Sequence, residues 1–63
     1  MDVYIDAVES RREIVRLYDS ANKSRNPQDY TMFQSMGDVA VGKWINDFGS
    51  LDTRVIDRQA LRQ

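Results

Sequence analysis

Arg54, Arg58 and Arg62 stand at i, i+4 and i+8. On a helix this spacing lines three guanidinium groups along one face, about 6 Å apart per step. Planar guanidinium groups grip carboxylates and phosphates through paired hydrogen bonds, so such a row suits an acidic protein groove or a run of phosphates. The plainer alternative is a solvated face that Asp57 partly neutralises. Elsewhere the inventory for chemistry is thin. Glu9 and Glu13 lie one turn apart, as do Asp2 and Asp6, but the first pair sits among arginines, where solvated surface pairs are expected. Ser10, Ser20, Ser24, Ser35 and Ser50 have no histidine to activate them. Lys23 or Lys43 would need a desolvated pocket to act as a base, and a chain of 63 residues hardly builds one. The stretch from Asp47 to Asp52 does not match the spacing of a calcium loop. Gly37 and Gly42 form no phosphate-cradling pattern. The expectation is a protein that is not an enzyme and that carries no cofactor and no metal.

Composition points the same way. The chain has no cysteine and no histidine, so it lacks a disulfide framework, a thiolate nucleophile and the commonest metal ligands. Hydrophobic residues make up 41% and charged residues 30%, proportions that fit a folded globular chain. No apolar run approaches the roughly 18 residues of a membrane span, and Met1-Asp2-Val3-Tyr4 lacks the basic start of a secretory signal. A cytoplasmic protein with no membrane partner is expected. The net charge of −1 is unevenly spread. Residues 26–51 carry Asp29, Asp38 and Asp47 against Lys43 alone, while residues 52–63 carry three arginines against Asp52 and Asp57. With a pI near 5.1 the whole chain has no general attraction for polyphosphate.

The elements that would position these groups are helical. From about residue 3 to residue 24, Val3, Tyr4, Ala7, Val8, Ile14, Val15, Leu17, Tyr18 and Ala21 recur at spacings of three and four. That pattern predicts one broad apolar face, with Asp2 as N-cap and Glu9, Glu13, Arg16 and Ser20 opposite. Proline disfavours the helical region for Asn26, so the first helix stops before it; Asn26 then caps a second helix that starts at Pro27. Tyr30, Phe33, Met36, Ala40, Trp44 and Phe48 continue as one stripe, which predicts a helix over about 27–48 ending at Gly49. Gly37 is the place for a kink; the alternative is a break there, with Asp38 as a fresh N-cap. A short third helix over about 52–62 takes Ser50 or Asp52 as its cap, but Leu51, Val55, Ile56, Ala60 and Leu61 do not gather on a narrow stripe.

The fold expected is therefore all-α: a single small helical domain, 1–63, made of an αα-hairpin of two long antiparallel helices plus a short C-terminal helix. A hairpin leaves one apolar face uncovered, and the third segment reads as an inadequate lid. A dimeric helical bundle is expected, because a lone chain of this size buries only about 60% of its unfolded surface. Arg11 projects into the middle of the first helix's apolar stripe. Either its stem lies on the core with the guanidinium reaching solvent, or it forms an ion pair across a helix or subunit interface with Asp29 or Asp38, fixing register.

Two functional readings follow. Met32 and Val39 lie off the second helix's main stripe, on a neighbouring face, and Ile45 lies at its far edge; the segment is rich in adaptable Met and aromatic side chains. They point to a small regulator or adaptor that acts by binding another protein, through occlusion or tethering, with Arg54, Arg58 and Arg62 steering an acidic partner. The plain alternative places these apolar residues in the dimer core or beneath the third segment. The second reading is DNA binding. Trp44, Phe48, Gly49 and Val55 resemble part of a helix-turn-helix skeleton, which would leave Thr53, Arg54, Asp57, Arg58 and Gln59 as the recognition surface. Ile45, Ser50 and Arg58 depart from that skeleton. Compact regulators of this size are frequent among phage, plasmid and bacterial accessory proteins, a matter of size and not of residues.

Overall fold

The computed structural model describes residues 2–61, which form three helices, α1 (Val3–Lys23), α2 (Pro27–Phe48) and α3 (Thr53–Leu61), with no strand among the described residues. Local chemistry sets each start. The Asp2 carboxylate accepts the Tyr4 backbone N–H at 2.9 Å, and the Asn26 side chain accepts that of Gln28 at 2.8 Å with Pro27 in the first turn. Of the two residues that could cap the third helix it is Asp52 that does so, accepting the Arg54 N–H at 3.2 Å. Each satisfies a donor that the helix itself leaves orphaned. At the far end of α2 the Gly49 N–H closes the last turn on the Ile45 carbonyl at 2.8 Å. No described helix is long and apolar enough to cross a membrane.

The chain reverses between Lys23 and Pro27, so that Gly37 in mid-α2 meets Tyr18 and Trp44, a turn from its end, meets Ala7 near the start of α1. Ala7, Ile14 and Ala21, seven residues apart, form the buried seam of α1. The helix α2 runs unbroken through both interior glycines. At Gly37 the reason is contact: a Cβ there would lie 2.8 and 2.9 Å from two ring carbons of Tyr18. The Tyr18 hydroxyl donates to the Asp38 carboxylate at 2.6 Å, so Asp38 holds the neighbouring helix and starts no new one. Gly37→Ala gains up to about 1 kcal/mol of helix propensity but overpacks the ring at a cost of about 1–3 kcal/mol. A net loss in urea denaturation is expected, and a stabilised variant would show that the ring yields freely.

The short third helix does have a stripe, contrary to its sequence expectation. Thr53, Ile56 and Ala60, at spacings of three and four, face inward, while Val55 and Leu61 stay exposed. Two well-placed apolar residues and a threonine suffice, because α3 covers only one side of one helix. It packs on α1 and makes no close backbone approach to α2 among the described residues. The helix α1 is thus central, with α2 on one flank and α3 on another, and Ala7, Ile14, Trp44 and Ile56 form the core where they meet. Val3 and Tyr4, counted in the apolar face of α1, remain exposed.

Candidate functional site

Three side-chain links tie the helices together near the N-terminal half of α1. The Trp44 indole N–H donates to the Ala7 carbonyl at 2.9 Å in a buried position. Arg11 donates from Nε to the Asp57 carboxylate at 3.0 Å, and its guanidinium carbon lies 6.0 Å from the centroid of the Trp44 ring. Arg12 donates to the Gln59 carbonyl at 3.2 Å. Arg11 therefore does form an ion pair between helices, but with α3 and not with Asp29 or Asp38. Asp38 is engaged by Tyr18, and Asp57 is brought to Arg11 by the docking of Ile56 beside it. Both members are partly exposed, so the pair is worth no more than about 1 kcal/mol; its effect is to set the rotation of α3 on α1. The same pairing removes Asp57 as a neutraliser of the arginine series.

Docking α3 on α1 leaves a cleft of about 390 Å³ between them. Tyr4, Ile5 and Val8 form one wall and Val55 with Ile56 the other, with Glu9, Arg12 and Gln59 at the mouth. On the outer side of α3, Arg54 and Arg58 are exposed, and Arg54 makes only a loose contact of 3.6 Å with Asp52. Arg62 lies outside the described residues. Thr53 is half-buried towards α1 and Gln59 lines the cleft, so Thr53, Arg54, Arg58 and Gln59 do not share one face. Val55, the anchor that a helix-turn-helix skeleton needs, is exposed, and the buried anchor is its neighbour Ile56.

The remaining candidates sit on α2. Met32 and Val39 lie on one flank, near a shallow groove of about 500 Å³ formed by Leu17, Met36, Val39 and Ala40 with Ser35 and Lys43. Ile45, 58% exposed, falls about 120° away from Val39 at helical spacing, on the flank where Asp38 meets Tyr18. The three therefore form no single patch with each other or with the arginines of α3. The cleft itself escaped sequence reading because Tyr4 and Val8 count as core by periodicity. Ile5 was the available signal, being a large apolar residue outside the stripe.

Electrostatically the molecule is mild. Among the described residues no polar or charged side chain is fully buried, and no three acidic residues cluster as a metal site would require. The hydrogen bond to Asp38 pushes the Tyr18 hydroxyl above the usual phenol range, with burial adding to it, and the exposed contact with Asp19 raises Lys23. What the arrangement offers is contact chemistry: a largely apolar cleft whose lining holds one acid, Glu9, and one base, Arg12, and a largely apolar groove on α2. The chain matches no protein-family model, no curated protein and no solved structure.

Proposed function

We propose that this chain is a small non-enzymatic regulatory or adaptor protein that binds another protein, inhibiting or tethering it, and that it works as a homodimer whose αα-hairpins pack into one helical bundle. The observation that carries the binding role is the cleft between α1 and α3. Its lining includes Tyr4, Ile5, Val8 and Val55, with one acid, Glu9, and one base, Arg12. Large apolar side chains left half-exposed in a concavity are the usual anchor points of a protein interface. Arg54 and Arg58, exposed on the outer side of α3, supply the basic surface that steers an acidic partner; the occupant we propose is an amphipathic helix that lays its apolar face in the cleft.

The test is capture of a partner by the tagged chain from nuclease-treated lysate of its native host, repeated with Ile5→Glu and with Arg54→Ala/Arg58→Ala. A protein retained by the parent chain should be lost with Ile5→Glu, at least about tenfold in affinity, since 1.4 kcal/mol is a factor of ten. The double arginine variant should slow association and flatten its salt dependence. Retention unchanged by Ile5→Glu overturns the cleft as the binding site. Recovery only in untreated lysate, with affinity for duplex DNA that falls steeply with salt, would move the function to DNA through Arg54, Arg58 and Gln59.

A further inference from the structure

Helix α3 is held less firmly than its neighbours. Its nine residues fall short of the roughly 12–15 at which an isolated helix becomes even marginally stable in water, so it keeps its shape only while it rests on α1. Ile56 and Ala60 are its buried residues, and of the two only Ile56 brings a large side chain to the core. The other ties, Arg11 to Asp57 and Arg12 to the Gln59 carbonyl, are partly or fully exposed. The connector before it is better fixed. Leu51 packs against the core, and its backbone N–H donates to the Phe48 carbonyl at 3.0 Å. Few buried contacts mark the part of a fold that opens first. Opening therefore begins beyond Leu51, at Asp52, and leaves α1 and α2 paired.

The cleft between α1 and α3 depends on that docking. Val55, Ile56 and Gln59 come from α3, and Tyr4, Ile5 and Val8 from α1. Once α3 leaves, the first wall is gone and only an open face of α1 remains. An occupant that touches both walls binds the docked form alone, and it draws α3 onto α1 by as much as it prefers that form. Arg11, Asp57 and Ala60 hold α3 in place without lining the cleft. Docking is thus carried in part by side chains that an occupant does not touch, so the site can be loosened or tightened without altering the surface that recognises its occupant.

We infer that α3 is a strap whose docking assembles the cleft, and that occupancy of the cleft locks the strap down, with the Arg11–Asp57 pair as its positioning contact. The inference rests on the cleft reading above and adds its regulation. In the free chain α3 opens and recloses while the α1–α2 hairpin stays formed. In the occupied chain the opening is suppressed, because the occupant has to leave before the wall it touches can move.

The experiment is hydrogen exchange on the full chain, read amide by amide, with and without the apolar dye anilinonaphthalene sulfonate as the occupant. Parent, Asp57→Asn, Ala60→Gly and Ile5→Glu chains are compared. In the free parent, amides of residues 57–61 should be at least about tenfold less protected than those around Ile14 and Trp44. Asp57→Asn should lower that protection further, by up to about fivefold, and Ala60→Gly should lower it too, both without effect on α1 and α2. With dye at about ten times its dissociation constant, protection over residues 57–61 should rise about tenfold in the parent. The same dye concentration should change nothing in Ile5→Glu, which spoils the α1 wall and leaves the ties of α3 in place. Equal protection in all three helices of the free parent overturns the strap, and unchanged protection in both Asp57→Asn and Ala60→Gly overturns the ties assigned to it. Dye binding that Ile5→Glu abolishes, but that leaves α3 exchanging as before, overturns the coupling while the cleft reading stands. Dye binding that is absent, or indifferent to Ile5→Glu, removes the cleft as a site and the inference with it.

Discussion

Trp44→Ala is expected to cost about 3–5 kcal/mol, the range for deleting a large aromatic side chain from a core. A chain of this length has a total stability of roughly 3–9 kcal/mol, so the variant should be largely or wholly unfolded at 37 °C. The effect is large because one side chain serves three contacts. The indole N–H donates to the Ala7 carbonyl at 2.9 Å and is satisfied there, the ring lies tilted at 52° to that of Phe48 with centroids 5.8 Å apart, and its face receives Arg11. Trp44→Phe separates these contributions. It keeps most of the apolar area and loses the hydrogen bond, which is worth about 1 kcal/mol net, so it should retain most of the stability. Urea denaturation followed at 222 nm, at one fixed protein concentration, reads both. A cost below about 1 kcal/mol for the alanine variant would remove Trp44 from the core, since only surface positions tolerate so large a truncation.

Ile56→Ala has an expected cost of about 2–5 kcal/mol, but its distribution along the chain should differ from that of Trp44→Ala. Ile56 is fully buried and is the main apolar tie of α3, whose close backbone approaches among the described residues are to α1 and not to α2. The remaining links, the Arg11–Asp57 pair and the Arg12 contact to the Gln59 carbonyl, are partly exposed and weak. Losing Ile56 should therefore release α3 before it disturbs the pairing of α1 with α2. Hydrogen exchange should show amides of Thr53–Leu61 losing protection while those around Ile14 and Trp44 keep theirs. Uniform loss across all three helices would mean that α3 is integral to one cooperative unit.

Helix boundaries were legible in the residues because they depend on neighbours in sequence. Asp2 and the Asn26-Pro27 pair act on backbone groups within four positions, and each does in the structure what its side chain or its proline ring dictates, while Gly49 follows the last residue of α2 in an ordinary right-handed conformation. Contacts between distant residues were not legible. That Arg11 interrupts an apolar stripe is a matter of periodicity, but its partner lies 46 positions away and is chosen by how α3 docks. The inward face of α3 was missed for a related reason. Five apolar residues were asked to share one stripe, whereas docking on a single helix takes only Ile56 and Ala60, with Val55 and Leu61 left for other uses. Likewise the continuity of α2 through Gly37 could be guessed from the stripe, but its cause is a tyrosine ring on another helix. For the candidate site, Arg54 and Arg58 were visible in advance as an exposed basic series, while the cleft was hidden among residues that periodicity assigns to the core.

The position of the single tryptophan has a spectroscopic consequence. The indole of Trp44 sits where α1, α2 and the Arg11–Asp57 contact with α3 converge, its ring 6.0 Å from a guanidinium carbon whose charge is balanced by a carboxylate on another helix. Emission from an indole responds to nearby charge and to wetting, so undocking of α3, which strips Asp57 from Arg11, changes the field on the ring even while the indole stays buried. The molecule thus carries an intrinsic fluorophore that distinguishes two events without any label: a shift in emission with little exposure when the short helix leaves, and full solvent exposure when the long pair separates.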